Sequence, residues 1–288
     1  DQAATQVHDI GIYLITGADG EVGFRILVGG GLGRTPILGK EVFEFVEKKH
    51  LLTALDAILR VYNREGRRDN KYKARIKILV KETGLEEFKR KVNLEWELIK
   101  DSSLQLTEEE ISRCGSFFSD PAYQQLEDQP DTLKQQLSEN ILFTNWYEQN
   151  VNPHKKAGYS IVTVCFKATG VAPGDVSDIQ LNALADLADK YSFGEVRVTH
   201  DQNVVLADVQ QQELHSLWQE LQSKAMASQN LGLMSDLICC PGGDFCALAN
   251  AKSIPIAESI QRKFDDFDEL KNIGKLSLNI SGCMNACG

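Results

Sequence analysis

The sequence lacks the features that mark several common classes of protein. No apolar run approaches the roughly 18 residues that a membrane-spanning helix needs. It contains neither a Gly-x-Ser-x-Gly nucleophile motif nor a P-loop lysine motif. The formal net charge is -10, whereas a protein that binds nucleic acid over its whole surface is normally basic. These absences predict a protein that contacts neither a membrane nor nucleic acid.

Signals of secretion are missing as well. The chain begins Asp1-Gln2-Ala3-Ala4, without the basic and apolar segments of a signal peptide and without an initiator methionine. Its seven cysteines are an odd number, which argues against a disulfide framework. We therefore expect a cytoplasmic location. We also expect the chain to be an internal fragment of a longer protein, because a cysteine motif stands at its very end.

The apolar pattern of the first part predicts strands followed by helices. Residues 9–16 and 23–28 read as a hairpin of two strands. The spacing of apolar residues predicts helix from 40 to about 63, with a possible break near His50, and again from 84 to about 100. The polar, Gln- and Glu-rich stretch 101–157 reads as a helical linker.

The second part has a clearer order of elements, β-α-β-β-α, which is most of a ferredoxin-like split βαβ unit. The predicted fold class is therefore α+β, with this unit flanked by parts of two mixed α/β units. The predicted domains are 1–100 (mixed unit), 101–157 (linker), 158–226 (ferredoxin-like half-domain) and 227–288 (the start of a second mixed unit).

Four cysteines form two close pairs near the end of the chain. Cys240-x5-Cys246 and Cys283-x3-Cys287 both lie in glycine-containing segments. Four thiolates in such turns are typical of an iron–sulfur cluster, whereas structural zinc prefers gaps of two to four residues within a pair. A zinc site and plain buried cysteines remain alternatives. Adjacent residues rarely both ligate one metal, and the spacing favours Cys240 over Cys239.

The other chemistry-bearing residues give weaker signals. Cys114 and Cys165 are expected to be ordinary buried thiols. The five histidines show no metal-ligand spacing. The glycine loop 29–33 follows a strand, but it lacks the final Gly or Ala of a dinucleotide fingerprint and an acidic partner further on. A nucleotide site at this loop is therefore disfavoured.

A basic segment interrupts the acidic chain. Residues 64–77 contain seven Lys and Arg beside only two acidic residues, which gives a local charge of +5. In an extended conformation Lys73, Arg75 and Lys77 would point to one face, because strand side chains alternate. The segment is either a cradle for a polyanionic ligand or a solvated basic surface.

Taken together, these motifs resemble a known family. Cys-x5-Cys followed by Ser-Gly-Cys-x-Asn-x-Cys-Gly is similar to the signature of assimilatory sulfite and nitrite reductases that carry sirohaem and a 4Fe-4S cluster. Residues 23–36 and 67–77 resemble the end of the first half of such an enzyme, and 197–203 resembles the Arg-x-Thr-x-x-Gln turn of its ferredoxin-like units. Met284 departs from the family's usual Pro. The resemblance is closest to the sulfite reductase haemoprotein (beta) subunit and covers nearly everything except 101–157.

The resemblance also implies cofactors and site residues. Cys240, Cys246, Cys283 and Cys287 would hold the 4Fe-4S cluster, with Cys287 bridging to the sirohaem iron. Sirohaem carries eight carboxylates, so a cationic cradle is implied, and the glycine loop would let the backbone approach the macrocycle. The implied sirohaem contacts are Arg67, Arg68, Lys73, Arg75, Lys77, Arg197, Thr199, Gln202, Asn203 and Asn285. Turn chemistry is the alternative for the contacts within 197–203.

The implied activity is the six-electron reduction of sulfite to sulfide, with electrons from a flavoprotein subunit or ferredoxin. Ferredoxin-dependent nitrite reduction on the same cofactors is one alternative, and a zinc-stabilised, non-catalytic binding module is another. The distal Arg and Lys of the family are expected upstream of Asp1. We therefore assign no catalytic residue here and expect this chain alone to be inactive.

Overall fold

The chain divides after Asp120 into two units in a computed structural model that describes residues 3–288. The first unit begins with an antiparallel sheet whose strand order is β1-β2-β3. Four helices follow the sheet. The elements are β1 (Ile10–Thr16), β2 (Val22–Val28), β3 (Lys40–Glu47), α1 (Leu51–Glu65), α2 (Ile76–Thr83), α3 (Leu85–Ile99) and α4 (Glu108–Gly115).

The core of the first unit lies between the sheet and helices α1 and α3. Helix α1 buries residues at the i, i+3, i+4, i+7 spacing of one helical face, namely Ala54, Ala57, Ile58 and Val61. These side chains belong to one cluster with apolar residues of β2, β3 and α3. The predicted hairpin is confirmed, because β1 and β2 pair in antiparallel, with residues 10–16 opposite 22–28.

The predicted helix over 40–63 is wrong for its first part, because residues 40–47 form strand β3. Val42 and Val46 stand at a spacing that suits a helix, and both are buried in this strand. The same spacing also suits one face of a strand, whose side chains alternate, and the burial of Phe43 next to Val42 reflects the irregular register with β2. A single 3-10 turn at Lys48–His50 stands where the break was expected, and the α-helix begins only at Leu51.

The second unit is built around a four-stranded antiparallel sheet of order β4-β5-β7-β6. Two short strands further on, β8 and β9, pair in parallel. The elements are α5 (Asp131–Glu139), α6 (Ile141–Asn150), β4 (Val151–Pro153), β5 (Tyr159–Val164), α7 (Asp178–Tyr191), β6 (Arg197–Val198), β7 (Val204–Gln210), α8 (Leu214–Ser223), β8 (Ile238–Cys239), α9 (Gly242–Phe245), α10 (Ile254–Lys263), α11 (Phe267–Ile273) and β9 (Asn279–Ile280).

The predicted β-α-β-β-α order is present as β5, α7, β6, β7 and α8, and the α+β fold class is confirmed. Helix α7 begins at a capping box in which Ser177 and Gln180 satisfy each other's backbone N–H groups. Phe143 and Trp146 of α6, although they lie within the stretch 101–157, belong to the core of this unit. The predicted domain limits stay a prediction.

No helix among the described residues is both long and apolar enough to cross a bilayer.

Candidate functional site

The two cysteine segments start side by side in the second unit. Strands β8 and β9 pair in parallel, so that Cys239 lies opposite Ile280. One residue further on, the N–H of Cys240 donates to the carbonyl of Ile280 at 3.0 Å. The short sheet therefore delivers the Cys240 turn and the Cys283 turn to the same edge.

The Cys240 sulfur lies between two hydrogen-bonding groups from other segments. The N–H of Gly282 donates to Cys240 Sγ at 3.1 Å, and the Ser253 hydroxyl is 3.3 Å from the same sulfur. The Ser253 hydroxyl, followed by the backbone N–H groups of Gly282 and Gly242, holds the pKa of the Cys240 thiol below its ordinary value, and burial opposes this shift. The surroundings of this sulfur favour the thiolate, which is the form that binds metal.

The neighbouring Cys239 has the opposite character. Its side chain is buried, and burial raises the pKa of its thiol to about 11, with a smaller contribution from Cys240. Its sulfur lies 3.2 Å from the carbonyl oxygen of Cys240. The pKa values of the two neighbouring thiols are thus shifted in opposite directions, and the choice of Cys240 as ligand stays a prediction.

Two glycines allow the segments around Cys240 to approach closely. A Cβ on Gly242, which has φ +56°, would lie 2.5 Å from Ser253 Oγ. A Cβ on Gly282 would lie 2.7 Å from the carbonyl oxygen of Ala251. Neither position could accept a side chain without moving its neighbour. The Gly-rich character of both turns therefore has a local steric reason.

A third segment, residues 250–253, joins the two turns, and sequence reasoning missed it. The N–H of Asn250 donates to the carbonyl of Gly282 at 2.8 Å, and the N–H of Gly243 donates to the carbonyl of Ala251 at 2.9 Å. Together with the contact of Ser253 to Cys240, these bonds connect both turns through one short stretch of chain. A serine just before a helix suggests only a helix cap, so the sequence carried no signal for this role.

The three remaining cysteines of the motif are more open to solvent. Cys246 and Cys283 are half-buried, and Cys287 is exposed. Within residues 3–288, no three His, Cys, Asp or Glu side chains are grouped closely enough to hold a metal ion. The structure therefore brings the two turns together without gathering their four sulfurs. The assignment of these cysteines as ligands stays a prediction.

The basic segment lies in the first unit, and part of it is exposed. Arg67 pairs with Asp69 at 2.6 Å, and Arg68 lies over the ring of Tyr62 at 4.7 Å. Lys73 is exposed. Hydrogen bonding to Asp69, together with its charge, raises the pKa of the Arg67 guanidinium.

The extended conformation expected for Lys73, Arg75 and Lys77 is wrong. The segment turns back toward α1, where the Tyr62 hydroxyl donates to the carbonyl of Ala74 at 2.8 Å, and Lys77 falls in helix α2. The alternation of a strand therefore does not apply to these residues.

Lys77 supports the glycine loop, and Arg75 lies beside it. Arg75 pairs with Asp9 at 2.7 Å. The buried Lys77 ammonium donates to the carbonyls of Leu32 at 2.8 Å and Thr35 at 3.0 Å. Burial, followed by the nearby positive charge of Arg75, lowers the pKa of Lys77. Lys77 is thus bonded to the loop region and Arg75 to Asp9, and their implied contacts with sirohaem stay a prediction.

The hairpin turn between β6 and β7 contacts the cysteine region through Gln202. The side chain of Gln202 pairs with the backbone of Cys239, its Nε2 donating to the carbonyl at 2.8 Å and its Oε1 accepting from the N–H at 3.1 Å. Thr199 Oγ1 accepts from the N–H of Asn203, which is turn chemistry, and Arg197 bonds to Glu195. Gln202 therefore ties the ferredoxin-like hairpin to strand β8.

Asn203 and Asn285 complete the set of implied contacts. Asn203 is buried, and its amide Oδ1 accepts from the N–H of Phe166 at 3.0 Å while its Nδ2 donates to Asp236 at 3.0 Å. Asn285 is exposed between Cys283 and Cys287. Of the implied polar contacts, Asn285 is therefore the one that stands on the cysteine turn itself.

A buried ion pair beside this region was also missed from the sequence. Lys167 Nζ lies 3.0 Å from Asp236 Oδ1, and the two side chains are 0% and 6% exposed. The Lys167 ammonium also donates to the carbonyl of Asp201 at 2.6 Å. The pair connects the segment after strand β5 to the segment that leads into β8. Because the two residues are far apart in the chain, no local sequence pattern indicates this contact.

The two remaining cysteines, Cys165 and Cys114, differ from each other in exposure. Cys165 is buried as expected, and burial, followed by the charge of Asp236, raises the pKa of its thiol well above the ordinary value. Cys114 is exposed on α4, which corrects the expectation that it is buried.

Two parts of the chain match known domain families. Residues 1–100 match the nitrite and sulphite reductase 4Fe-4S domain. Residues 152–224 match the nitrite/sulfite reductase ferredoxin-like half domain.

Individual relatives align with almost the whole chain. It is 26% identical over 282 residues to the chloroplastic ferredoxin–nitrite reductase of Betula pendula, an alignment that covers 96% of this chain and 42% of the relative. It is 26% identical over 290 residues to sulfite reductase (ferredoxin) 2 of Mycolicibacterium paratuberculosis, which covers 99% and 45%. The solved structure of the Mycobacterium tuberculosis NirA protein superposes with a TM-score of 0.68 at 21% identity, covering 99% of this chain and 46% of that one. The chain spans less than half the length of these relatives, and the solved structure supports the fold alone.

Proposed function

Since its two matched regions show that the chain belongs to the nitrite and sulphite reductase family, we propose that it is part of a sulfite reductase haemoprotein. The proposed reaction is the six-electron reduction of sulfite to sulfide at sirohaem coupled to a 4Fe-4S cluster. The observation that carries the proposal is the Cys240 sulfur, which lies between Gly242 and Gly282 beside the Cys283 turn, accepts from the N–H of Gly282 and is 3.3 Å from the Ser253 hydroxyl.

The donor set suits the cluster. Cys240, Cys246, Cys283 and Cys287 are free thiols, and the hydrogen bonds to Cys240 stabilise the thiolate that iron requires. When bound, the cluster would supply electrons one at a time. We propose Cys287, the exposed member of the four, as the thiolate shared with the sirohaem iron.

The proposed sirohaem contacts fall into two groups by their present partners. Arg67, Arg68 and Lys73 lie at or near the surface of the first unit, where they can be redirected to the carboxylates of a macrocycle at small cost. Arg75 is bonded to Asp9, and Lys77 holds carbonyls of the glycine loop, which would bring backbone rather than side chain to the cofactor. In the second unit, the same distinction separates the exposed Arg197 and Asn285 from the internally bonded Thr199, Gln202 and Asn203.

Nitrite is the second candidate substrate, because a relative named for nitrite reduction matches this chain at the same 26% identity as one named for sulfite. Both relatives are named for ferredoxin, which makes ferredoxin the preferred electron donor over a flavoprotein subunit. A cytoplasmic location, expected from the sequence, is part of the proposal.

The proposal is tested on the full-length protein purified without oxygen. We expect iron, labile sulfide and the absorption bands of sirohaem, and a faster turnover of sulfite than of nitrite with reduced ferredoxin. Cys240→Ser should lose iron and sulfide, whereas Cys114→Ser, which changes an exposed thiol on α4, should keep both.

Other outcomes discriminate between the alternatives. Faster turnover of nitrite than of sulfite would make nitrite the substrate and leave the proposed cofactors unchanged. A colourless protein that contains zinc but no iron or sulfide would refute the reductase and support the non-catalytic binding module.

A further inference from the structure

Ser253 occupies the residue just before helix α10 but does not cap it. Serine at this position normally accepts a hydrogen bond from an N–H of the first helical turn. No such bond is present, the backbone of Ser253 is itself helical, and the first turn contains Pro255, which has no N–H to donate. The hydroxyl is therefore available for another partner, although its side chain is almost completely buried.

That partner is the sulfur of Cys240. Ser253 Oγ lies 3.3 Å from Cys240 Sγ, and a thiolate can only accept, so the hydroxyl must be the donor when Cys240 binds metal. Gly242 and Gly282 create the space for this contact, since a Cβ on either would lie 2.5 Å or 2.9 Å from the same hydroxyl oxygen. Gly242, Gly282 and a serine that does not cap its own helix thus surround this one contact with the Cys240 sulfur.

We propose that Ser253 is a positioning residue that orients Cys240 and raises the reduction potential of the centre this sulfur holds. This inference rests on the proposed function, because it requires Cys240 to be a cluster ligand. Reduction adds negative charge that is shared with the ligand sulfurs, and a hydrogen bond to such a sulfur stabilises the more negative state. The Ser253 donor therefore favours the reduced form over the oxidised form.

The test compares three variants of the full-length protein. Ser253→Ala removes the hydroxyl and leaves a smaller side chain, and Ser253→Thr keeps the hydroxyl. Ser192→Ala is the matched control, because Ser192 is also buried and its hydroxyl oxygen accepts a bond from the N–H of Asp208, away from the cysteines. The readouts are iron and labile sulfide content and the midpoint potential of the cluster, followed by electron paramagnetic resonance.

We expect Ser253→Ala to weaken the preference for the reduced form about tenfold, which is a fall of ~59 mV in a one-electron potential. Ser253→Thr should recover most of this shift, and Ser192→Ala should show none. Loss of iron in Ser253→Ala alone, with iron kept in Ser253→Thr, would also support the orienting role of the hydroxyl.

Two results overturn the inference while leaving the proposed function intact. One is an unchanged potential in Ser253→Ala with normal iron content. The other is loss of iron in both Ser253 variants but not in Ser192→Ala, since packing rather than the hydroxyl would then be responsible. A wild-type protein without iron or labile sulfide would instead refute the proposed function itself, and this inference with it.

Discussion

The buried pair of Lys167 and Asp236 gives the sharpest stability prediction. Both side chains are almost completely removed from solvent, and their charged atoms are 3.0 Å apart. The Asp236 carboxylate also accepts from Asn203 Nδ2 at 3.0 Å and from the N–H of Gly232 at 2.9 Å. Lys167→Met keeps most of the length of the side chain but leaves this carboxylate buried without its counter-charge.

The expected loss is about 3–5 kcal/mol in the free energy of unfolding, which is typical when one partner of a buried ion pair is removed. For a unit of this size, the same loss lowers the melting temperature by about 6–20 °C. The assay is thermal and urea unfolding of the purified protein followed by tryptophan fluorescence. Trp146 and Trp218 both lie in the core of the second unit and report its unfolding.

The matched control is Lys190→Met, which removes a lysine of the same unit whose partner Glu220 is also largely exposed. We expect no resolvable shift in its transition, because exposed pairs contribute little. Asp236→Asn added to Lys167→Met should recover part of the loss, since it removes the unpaired charge. A loss below about 1 kcal/mol in Lys167→Met, or a loss equal to that of Lys190→Met, would show that the pair is open to solvent rather than buried.

Two further predictions concern single buried groups. Lys77→Met should destabilise the first unit by about 2 kcal/mol, because it leaves the carbonyls of Leu32 and Thr35 without their charged donor. The transition is followed by the fluorescence of Trp96, and Lys73→Met, which changes an exposed lysine, is the control. Equal stability of the two variants would contradict the role of Lys77. Cys165 should resist iodoacetamide at pH 8 in the folded protein while Cys114 reacts, since burial raises the pKa of Cys165 and Cys114 is exposed. The raised pKa means that the folded state holds this proton more tightly than the unfolded state, so stability should fall as the pH rises from the ordinary thiol pKa of 9.0 toward the raised value, and a Cys165→Ala variant should lack that component. Rapid labelling of Cys165 under native conditions would contradict its burial.

The predictions from sequence succeeded where the information was local. Helices α7 and α8 have apolar residues at helical spacing, and the capping box at Ser177 marks where α7 begins. The same method failed at residues 40–47, where the spacing of Val42 and Val46 suits a helix. Pairing with β2 made that segment a strand, and nothing in the sequence of 40–47 indicates which strand it pairs with.

The candidate site likewise combines a motif that the sequence predicts with contacts that only the fold creates. The spacing of Cys240, Cys246, Cys283 and Cys287 is enough to identify the motif from the chain alone. Spacing could not reveal that Ser253 would face Cys240, that Gln202 would hold the backbone of Cys239, or that Asn203 would turn inward to Asp236. Each of these contacts joins residues that are far apart in the chain.

The sequence by itself determined which residue types this protein has for its chemistry: four clustered cysteines, a basic segment and glycines where two turns must approach. Those features are local, because they depend on neighbours within a few positions. Only the tertiary structure decided what each polar side chain does, since burial forces a group such as Lys77 or Ser253 to find a partner wherever the fold has brought one. The fold thereby made Lys77 a support for the glycine loop and placed the Ser253 hydroxyl against the Cys240 sulfur instead of at a helix cap.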